Sequence, residues 1–185
     1  LYTAPRSKSR KILRRSHAAC RRVGTMFKRT DKINYYLDIA ASVLERSTCL
    51  RRKYGAIIVR NDEIISTGYN GAPRGRCNCS DLGRCTREEL RIPSGERYEL
   101  CRSVHAEANA IISASRRDML GGTLYLVGRD AQTGEYLTTT TPCSMCRRLI
   151  INSGIETVVC RTGDDSYEVV GVDEWVRNDD TVPRD

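Results

Sequence analysis

At 185 residues the chain has the length of one domain around a single core, and no apolar run approaches a membrane-spanning helix. Nine cysteines, an odd number with several in C-x-C or C-x-x-C spacing, exclude a simple secreted disulfide framework and point to metal binding in a reducing compartment, the cytoplasm. The formal charge of +8 is local: residues 1–25 hold Arg6, Lys8, Arg10, Lys11, Arg14, Arg15, Arg21 and Arg22 and no acid, so 31 − 8 = 23 basic residues face 23 acidic ones over 26–185. A formally neutral domain offers no net pull on phosphate polymers, so nucleic acid is not an expected partner.

The basic segment 1–25 has three readings: a nucleic-acid-binding arm, a targeting peptide, or residues upstream of the natural start. It is rich in Arg and Ser but lacks the apolar core of a secretory signal. Met26 stands just before the first regular element. The expectation is therefore a disordered or non-native extension over 1–25, a domain over 26–178 and a short tail over 179–185.

From Asp31 the pattern turns helical, with Ile33, Tyr36, Leu37, Ala40, Val43 and Leu44 at three-and-four spacing, Thr30 or Asp31 as N-cap and an end near Ser47. Residues 54–60 and 63–68 are β-branched and apolar, and Asn61-Asp62 between them fits a two-residue hairpin turn. A long loop over about 69–100, rich in Gly, Arg and Cys, follows; a loop of that length in a compact domain is functional or metal-stapled. A helix is expected over 103–117, closed by Gly121-Gly122, then a strand over 124–127. Pro142 suits the first position of a helix running to Ser153, with Gly154 past its end. Strands follow at 157–161 and, more weakly, 168–172, with a short helix at 173–177. This order gives an α/β layered domain with a mixed sheet.

The chemistry concentrates in His105-Ala106-Glu107 and Pro142-Cys143-Ser144-Met145-Cys146. One imidazole and two thiolates suit tetrahedral zinc with its fourth position left for water, and a glutamate two residues from the histidine can shuttle protons. His105 and Glu107 can face one site only if His105 keeps extended geometry at a helix start. Cys143 and Cys146, at i and i+3, share one helical face, and the positive end of that helix favours thiolates. A closed four-ligand structural site is the rival. Glu107 as a non-ligating carboxylate, and the lack of a fourth ligand beside the cysteines, oppose it. The pair is the H-x-E…P-C-x-x-C signature of zinc-dependent nucleobase deaminases.

Residues 30–176 resemble the deoxycytidylate (dCMP) deaminase family, in Ser66-Thr67-Gly68-Tyr69-Asn70-Gly71-Ala72-Pro73, in the Cys-bearing loop, in His105-Ala106-Glu107-Ala108-Asn109-Ala110-Ile111 and in Pro142-Cys143-Ser144-Met145-Cys146. The resemblance implies a cytidine-deaminase-like three-layer α/β/α fold with a mixed sheet of about five strands, and hydrolysis of dCMP to dUMP and ammonia, feeding thymidylate synthesis. It implies that His105, Cys143 and Cys146 hold Zn2+, that Glu107 is the proton shuttle and that Asn70 lies at the substrate sugar. The backbone amide of Ala106 or Cys143 can orient the base, and Tyr69 has a claim to the nucleotide. Family members are commonly hexamers, activated by dCTP and inhibited by dTTP, with Gly68 and Gly71 near the effector site. Free cytidine deaminases usually carry Cys in place of the histidine. The tRNA adenosine deaminases share both motifs but lack the long Cys-rich loop, which favours a mononucleotide here. A non-catalytic zinc module binding nucleic acid is the reading from another class.

Cys49, Cys77, Cys79, Cys85 and Cys101 lie outside the catalytic motif, and four thiolates on a loop are typical of a structural zinc that replaces a missing apolar core. Phage members that the chain resembles hold a second zinc with cysteines equivalent to Cys49 and Cys79; Cys85 and Cys101 would complete the set. Free cysteines packing as small apolar residues are the alternative, and Cys160, in a strand, reads as core. Candidates for a substrate phosphate are Arg51, Arg52, Lys53, Arg74, Arg76 and Arg161. Tyr36 reads as core, Tyr35 as a subunit contact.

Overall fold

The computed structural model describes residues 29–93 and 95–178. The expected extension over 1–25 and the tail over 179–185 lie outside the described residues. The architecture is a five-stranded mixed sheet with helices on both faces, the three-layer α/β/α arrangement expected.

Helix α1 (Lys32–Leu44) starts where the Asp31 carboxylate accepts hydrogen bonds from the Ile33 and Asn34 amides, relieving two otherwise unpaired donors. The hairpin pairs β1 (Arg52–Arg60) with β2 (Glu63–Tyr69) through Asn61 and Asp62, both at positive φ (50° and 67°) as a right-twisted two-residue turn needs. Strand β3 (Thr123–Asp130) joins the other edge of β1 antiparallel, β4 (Thr157–Arg161) runs parallel to β3, and β5 (Tyr167–Gly171) closes the order β2-β1-β3-β4-β5 antiparallel to β4.

Alternation along the strands builds two cores. Ala56, Ile58, Leu124, Leu126, Val158 and Cys160 face helices α4 (Ala106–Ile112) and α6 (Ser144–Ser153), whose Ala106, Ala110 and Ile150 complete that layer. Ile57, Val59, Tyr125, Val127 and Val159 face Tyr36, Leu37, Ala40, Ala41 and Leu44 of α1. Tyr36 and Cys160 are therefore core, as their positions suggested, and Tyr35 is exposed. The last helix, α7 (Val172–Arg177), follows β5 directly.

Three elements differ from the sequence reading. The helix expected over 103–117 is two: α4 ends at Ile112, and α5 (Arg116–Met119) restarts at Ser115, whose Oγ accepts from the Asp118 amide. Pro142 precedes α6 rather than opening it, because Cys143 is the N-cap with extended backbone (φ −69°, ψ 166°). The long loop contains two single turns of helix, α2 (Cys79–Leu82) and α3 (Thr86–Glu89), and a 3₁₀ turn at Tyr98–Leu100.

Gly68 sets how closely α4 approaches the sheet. A Cβ there would stand 2.3 Å from the Ala106 carbonyl oxygen and 2.4 Å from the Ala110 nitrogen, both backbone atoms that cannot swing aside. Gly68→Ala is expected to lower stability by about 1–3 kcal/mol, read as a lower urea midpoint, and to reduce activity through displacement of α4. An unchanged midpoint would mean that the helix yields freely.

Candidate active site

Two helix starts bring the motif residues together. The segment before α4 is pinned to the end of β2 by reciprocal bonds, Gly71 N–H to Val104 O (3.2 Å) and Val104 N–H to Gly71 O (2.8 Å). His105 then caps α4 with extended backbone (φ −71°, ψ 153°), so its ring and the Glu107 side chain reach the same site although two residues apart. Cys143 and Cys146 occupy the N-cap and first turn of α6.

His105 Nδ1 stands 3.4 Å from Cys143 Sγ and 3.4 Å from Cys146 Sγ, and the three donor atoms all lie within 4.8 Å of one another. Nitrogen and sulfur donors on one tetrahedral zinc, at about 2.0 and 2.3 Å from it, stand about 3.5 Å apart. The donor set thus fits zinc in type and in spacing.

The two sulfurs titrate as a pair. Cys143 is the thiolate, its pKa held down to about 4 by the hydrogen bond from Cys146 and by His105 beside it. Cys146 keeps the shared proton, its thiol pushed up by that bond and by burial. A divalent cation between them removes the reason for keeping that proton. His105 is raised from its ordinary value by its hydrogen bond to Cys143, against the opposing effect of burial. Glu107 is only 5% exposed, and burial pushes its carboxyl up against the opposing charge of His105. A glutamate with a raised pKa can both accept and return a proton near neutrality.

His105, Ala106, Glu107 and Cys143 line a cavity of about 120 Å³ whose other walls include Asn70, Tyr54, Tyr98, Arg51, Arg52, Arg87 and Ser103. Asn70 is brought to this wall, but its carboxamide is largely spent on the fold: Oδ1 accepts from Tyr54 N–H (2.8 Å) and Ser47 Oγ (2.6 Å), and Nδ2 donates to Arg52 O (2.9 Å). It locks the end of β2 to the start of β1 and leaves one amide N–H for a ligand.

Other expected site residues fall elsewhere. Tyr69 does not line the cavity; its strand position turns the ring outward, 36% exposed, and its carbonyl accepts from Asn109 Nδ2 (2.8 Å). Gly68 is packed under α4, and Gly71 is used in the bridge to Val104. Of the phosphate candidates, Arg51 and Arg52 line the cavity, while Arg74 and Arg76 do not. Arg161 is buried beneath α1, bonded to Asn34 Oδ1 (3.1 Å), Tyr136 Oη (3.1 Å) and Asp38 (2.8 Å), and serves the fold.

The sequence reading missed Tyr54, Tyr98 and Arg87. Tyr98 meets the His105 ring edge-on, with centroids 5.0 Å apart and planes at 87°. Arg87, 5% exposed, gathers the carbonyls of Pro93 (2.7 Å), Glu96 and Arg97 (2.9 Å) around its guanidinium and stacks on Tyr98 at 5.0 Å. The chain around Tyr98 is hung from this one side chain.

Among the described residues, eight cysteines are free. Cys49, Cys85 and Cys101 share the cavity wall, and Cys79 is buried beside them, its thiol pushed up by burial and by the neighbouring thiols of Cys49, Cys85 and Cys101. These four are gathered, but more loosely than the His105 group. Cys77 is exposed.

The family described as "Cytidine and deoxycytidylate deaminase zinc-binding region" matches residues 30–162. The deoxycytidylate deaminase of Mycobacterium phage D29 is 40% identical over 135 residues, which cover 71% of this chain and 94% of the phage protein. That of Schizosaccharomyces pombe is 35% identical over 129 residues, covering 70% of this chain but 36% of the yeast protein. The crystal structure of the cyanophage S-TIM5 dCMP deaminase aligns with a TM-score of 0.48 at 26% identity, covering 70% of this chain and 81% of that one. The matched span carries the two helix starts and the cavity wall between them, and on that match the chain belongs to the cytidine and deoxycytidylate deaminase zinc-binding family.

Proposed function

We propose that the chain is a zinc-dependent hydrolase that converts dCMP and water to dUMP and ammonia. One observation carries the reading: three zinc-type donors within 4.8 Å of one another meet at the wall of a cavity that His105, Cys143 and the buried Glu107 line. His105 Nδ1, Cys143 Sγ and Cys146 Sγ would hold the metal. Zinc bound there supplies a water whose pKa is lowered towards neutrality. The Glu107 carboxylate takes a proton from that water as its oxygen adds to C4 of the cytosine ring, and gives the proton to ring N3. Protonated again by the remaining hydroxyl, it delivers the second proton to the amino group, which leaves as ammonia. Ala106 N–H, in the first turn of α4 and without an intrahelical acceptor, is the donor that would orient the base. Tyr98, which lines the cavity beside His105, would pack against the bound ring.

The substrate is tested by ammonia release from dCMP, CMP, deoxycytidine and a tRNA anticodon stem. Turnover of dCMP above the others is expected. Turnover confined to the RNA would replace this reading with an adenosine deaminase.

The same reading places a second, structural zinc on Cys49, Cys79, Cys85 and Cys101. Supporting it are the mutual proximity of the four thiols and the scarcity of apolar residues in the loop they would staple. Metal analysis is expected to give two zinc ions per chain, and Cys79→Ala one, with a lowered melting temperature. One zinc in the parent protein and an unchanged melting temperature in the variant would dismiss it. Family resemblance further supports a homo-oligomer, with a hexamer favoured, regulation by dCTP and dTTP, dUMP supply to thymidylate synthesis, and a cytoplasmic location. The exposed Tyr35, Ile112 and Leu149 side chains are consistent with subunit contacts. Among the described residues no helix is long and apolar enough to cross a membrane.

A further inference from the structure

Both cysteines of the catalytic group sit in one short turn, and the residue that follows them closes it. Pro142 precedes α6 and is fully buried, so its carbonyl lies outside the helical ladder and needs a donor from elsewhere. Arg147 supplies it: its Nε donates to Pro142 O at 3.1 Å, while its backbone amide donates to Cys143 O at 2.9 Å. Side chain and backbone of one residue thus grip the carbonyls on either side of Cys143. Inside the loop that they close lie both sulfur donors, with the Cys146 amide donating to the Cys143 sulfur.

A second contact holds Arg147 itself. Its guanidinium stands over the ring of Trp175, 5.2 Å from the centroid and within the range of a cation–π attraction. Trp175 belongs to α7 and is half-buried against the core layer that α4 and α6 complete. The start of α7 is seated in turn by the Val172 amide on Glu156 O (2.9 Å). A long side chain gives up its rotamer freedom only where something holds it, and here a ring face and a buried carbonyl do so together. The family match ends at residue 162, so the ring comes from a helix beyond the matched span.

We propose that Arg147 is a positioning residue for the zinc-binding turn and that Trp175 clamps it, so that α7 sets how well Cys143 and Cys146 are prearranged for the metal. This rests on the reading that these two sulfurs hold zinc together with His105. A metal site gains affinity when its ligands need no rearrangement to meet the ion, and the groups one step outside the ligands keep them in place. Without the Arg147 bond the Pro142 carbonyl is left buried and unpaired, and the turn must shift to satisfy it. Cys143, at the N-cap, shifts with that carbonyl. Arg147 does not line the cavity, so it acts on the chemistry only through the cysteines.

The test returns zinc to the metal-free protein against a competing chelator, with Cys143→Ser identifying the ion that belongs to this site. Arg147→Ala is expected to weaken binding of that ion by about tenfold to a hundredfold, the usual effect of removing a group that orients a ligand. Trp175→Ala is expected to weaken it too, and Trp175→Phe much less, since phenylalanine keeps a ring face. The double variant Arg147→Ala/Trp175→Ala is expected to lose no more than Arg147→Ala alone, because the ring acts through the arginine. Trp175 is the chain's single tryptophan, so its emission reports the clamp: it is expected to change as zinc fills the parent protein and to stay constant in Arg147→Ala. Arg147→Lys keeps the cation but has no Nε–H to give Pro142, and is expected to melt like the parent protein while binding zinc more weakly. Zinc affinity equal to the parent's in both Arg147 variants, or losses that add in the double variant, overturns the clamp. A Cys143→Ser protein that keeps all its zinc would sink the metal assignment, and the clamp with it.

Discussion

Glu107→Gln is expected to lower kcat for dCMP by about 10²–10⁴-fold, the range that a positioned proton-transfer group supplies, while zinc content and melting temperature stay close to those of the parent protein. The amide fills the same volume in a site that is almost fully enclosed, so packing against α4's neighbours is preserved. It also removes an ionisable group whose charged form burial disfavours, which argues against any loss of stability. What is lost is an oxygen that can take a proton and return it. Paired measurement of metal content and turnover separates the roles: a variant that loses zinc would make Glu107 a ligand, and a fully active one would remove it from the chemistry.

Cys143→Ser carries the opposite signature. The hydroxyl is a poor substitute for a thiolate that is already held ionised, with its pKa near 4, at the start of α6. Bound zinc and turnover are expected to fall together, turnover by on the order of 10³-fold or more, because without the metal the pKa of water returns from about 7 towards 15.7. Added zinc is expected to restore part of the activity, and a chelator to reproduce the loss in the parent protein. Full turnover after complete chelation would show that the three donors serve only the fold. Together the two variants divide the site into a group that holds the ion and a group that moves the proton.

Local rules carried much of this site and stopped at the loop. Asn61-Asp62 declared its turn because few residue pairs accept positive φ twice. The His105–Glu107 spacing made sense only for an extended N-cap, and that is the geometry present. The break between α4 and α5 was also legible: Ser115 and Asp118 form a Ser-x-x-acid start signal inside the apolar run, which the three-and-four pattern overrode in reading 103–117 as one helix. Tyr98 and Arg87 left no such trace. An irregular segment has no period, and their roles come from carbonyls of residues 93, 96 and 97 meeting a guanidinium only once the chain has folded. Arg161 shows the reverse error: a strand-edge cation suggests a ligand until α1 covers it and Asp38 pairs with it. Tyr69 likewise sat in the right motif but on the outward side of β2.

The central claim is that water, activated beside Glu107, replaces the amino group of a cytosine nucleotide. It is tested most directly by incubating the zinc-loaded protein with dCMP in heavy-oxygen water and weighing the product. The account predicts dUMP carrying one heavy oxygen on the base, with one ammonia released for each dCMP consumed. Product without the label, or unreacted dCMP in a protein that has its zinc, would contradict it.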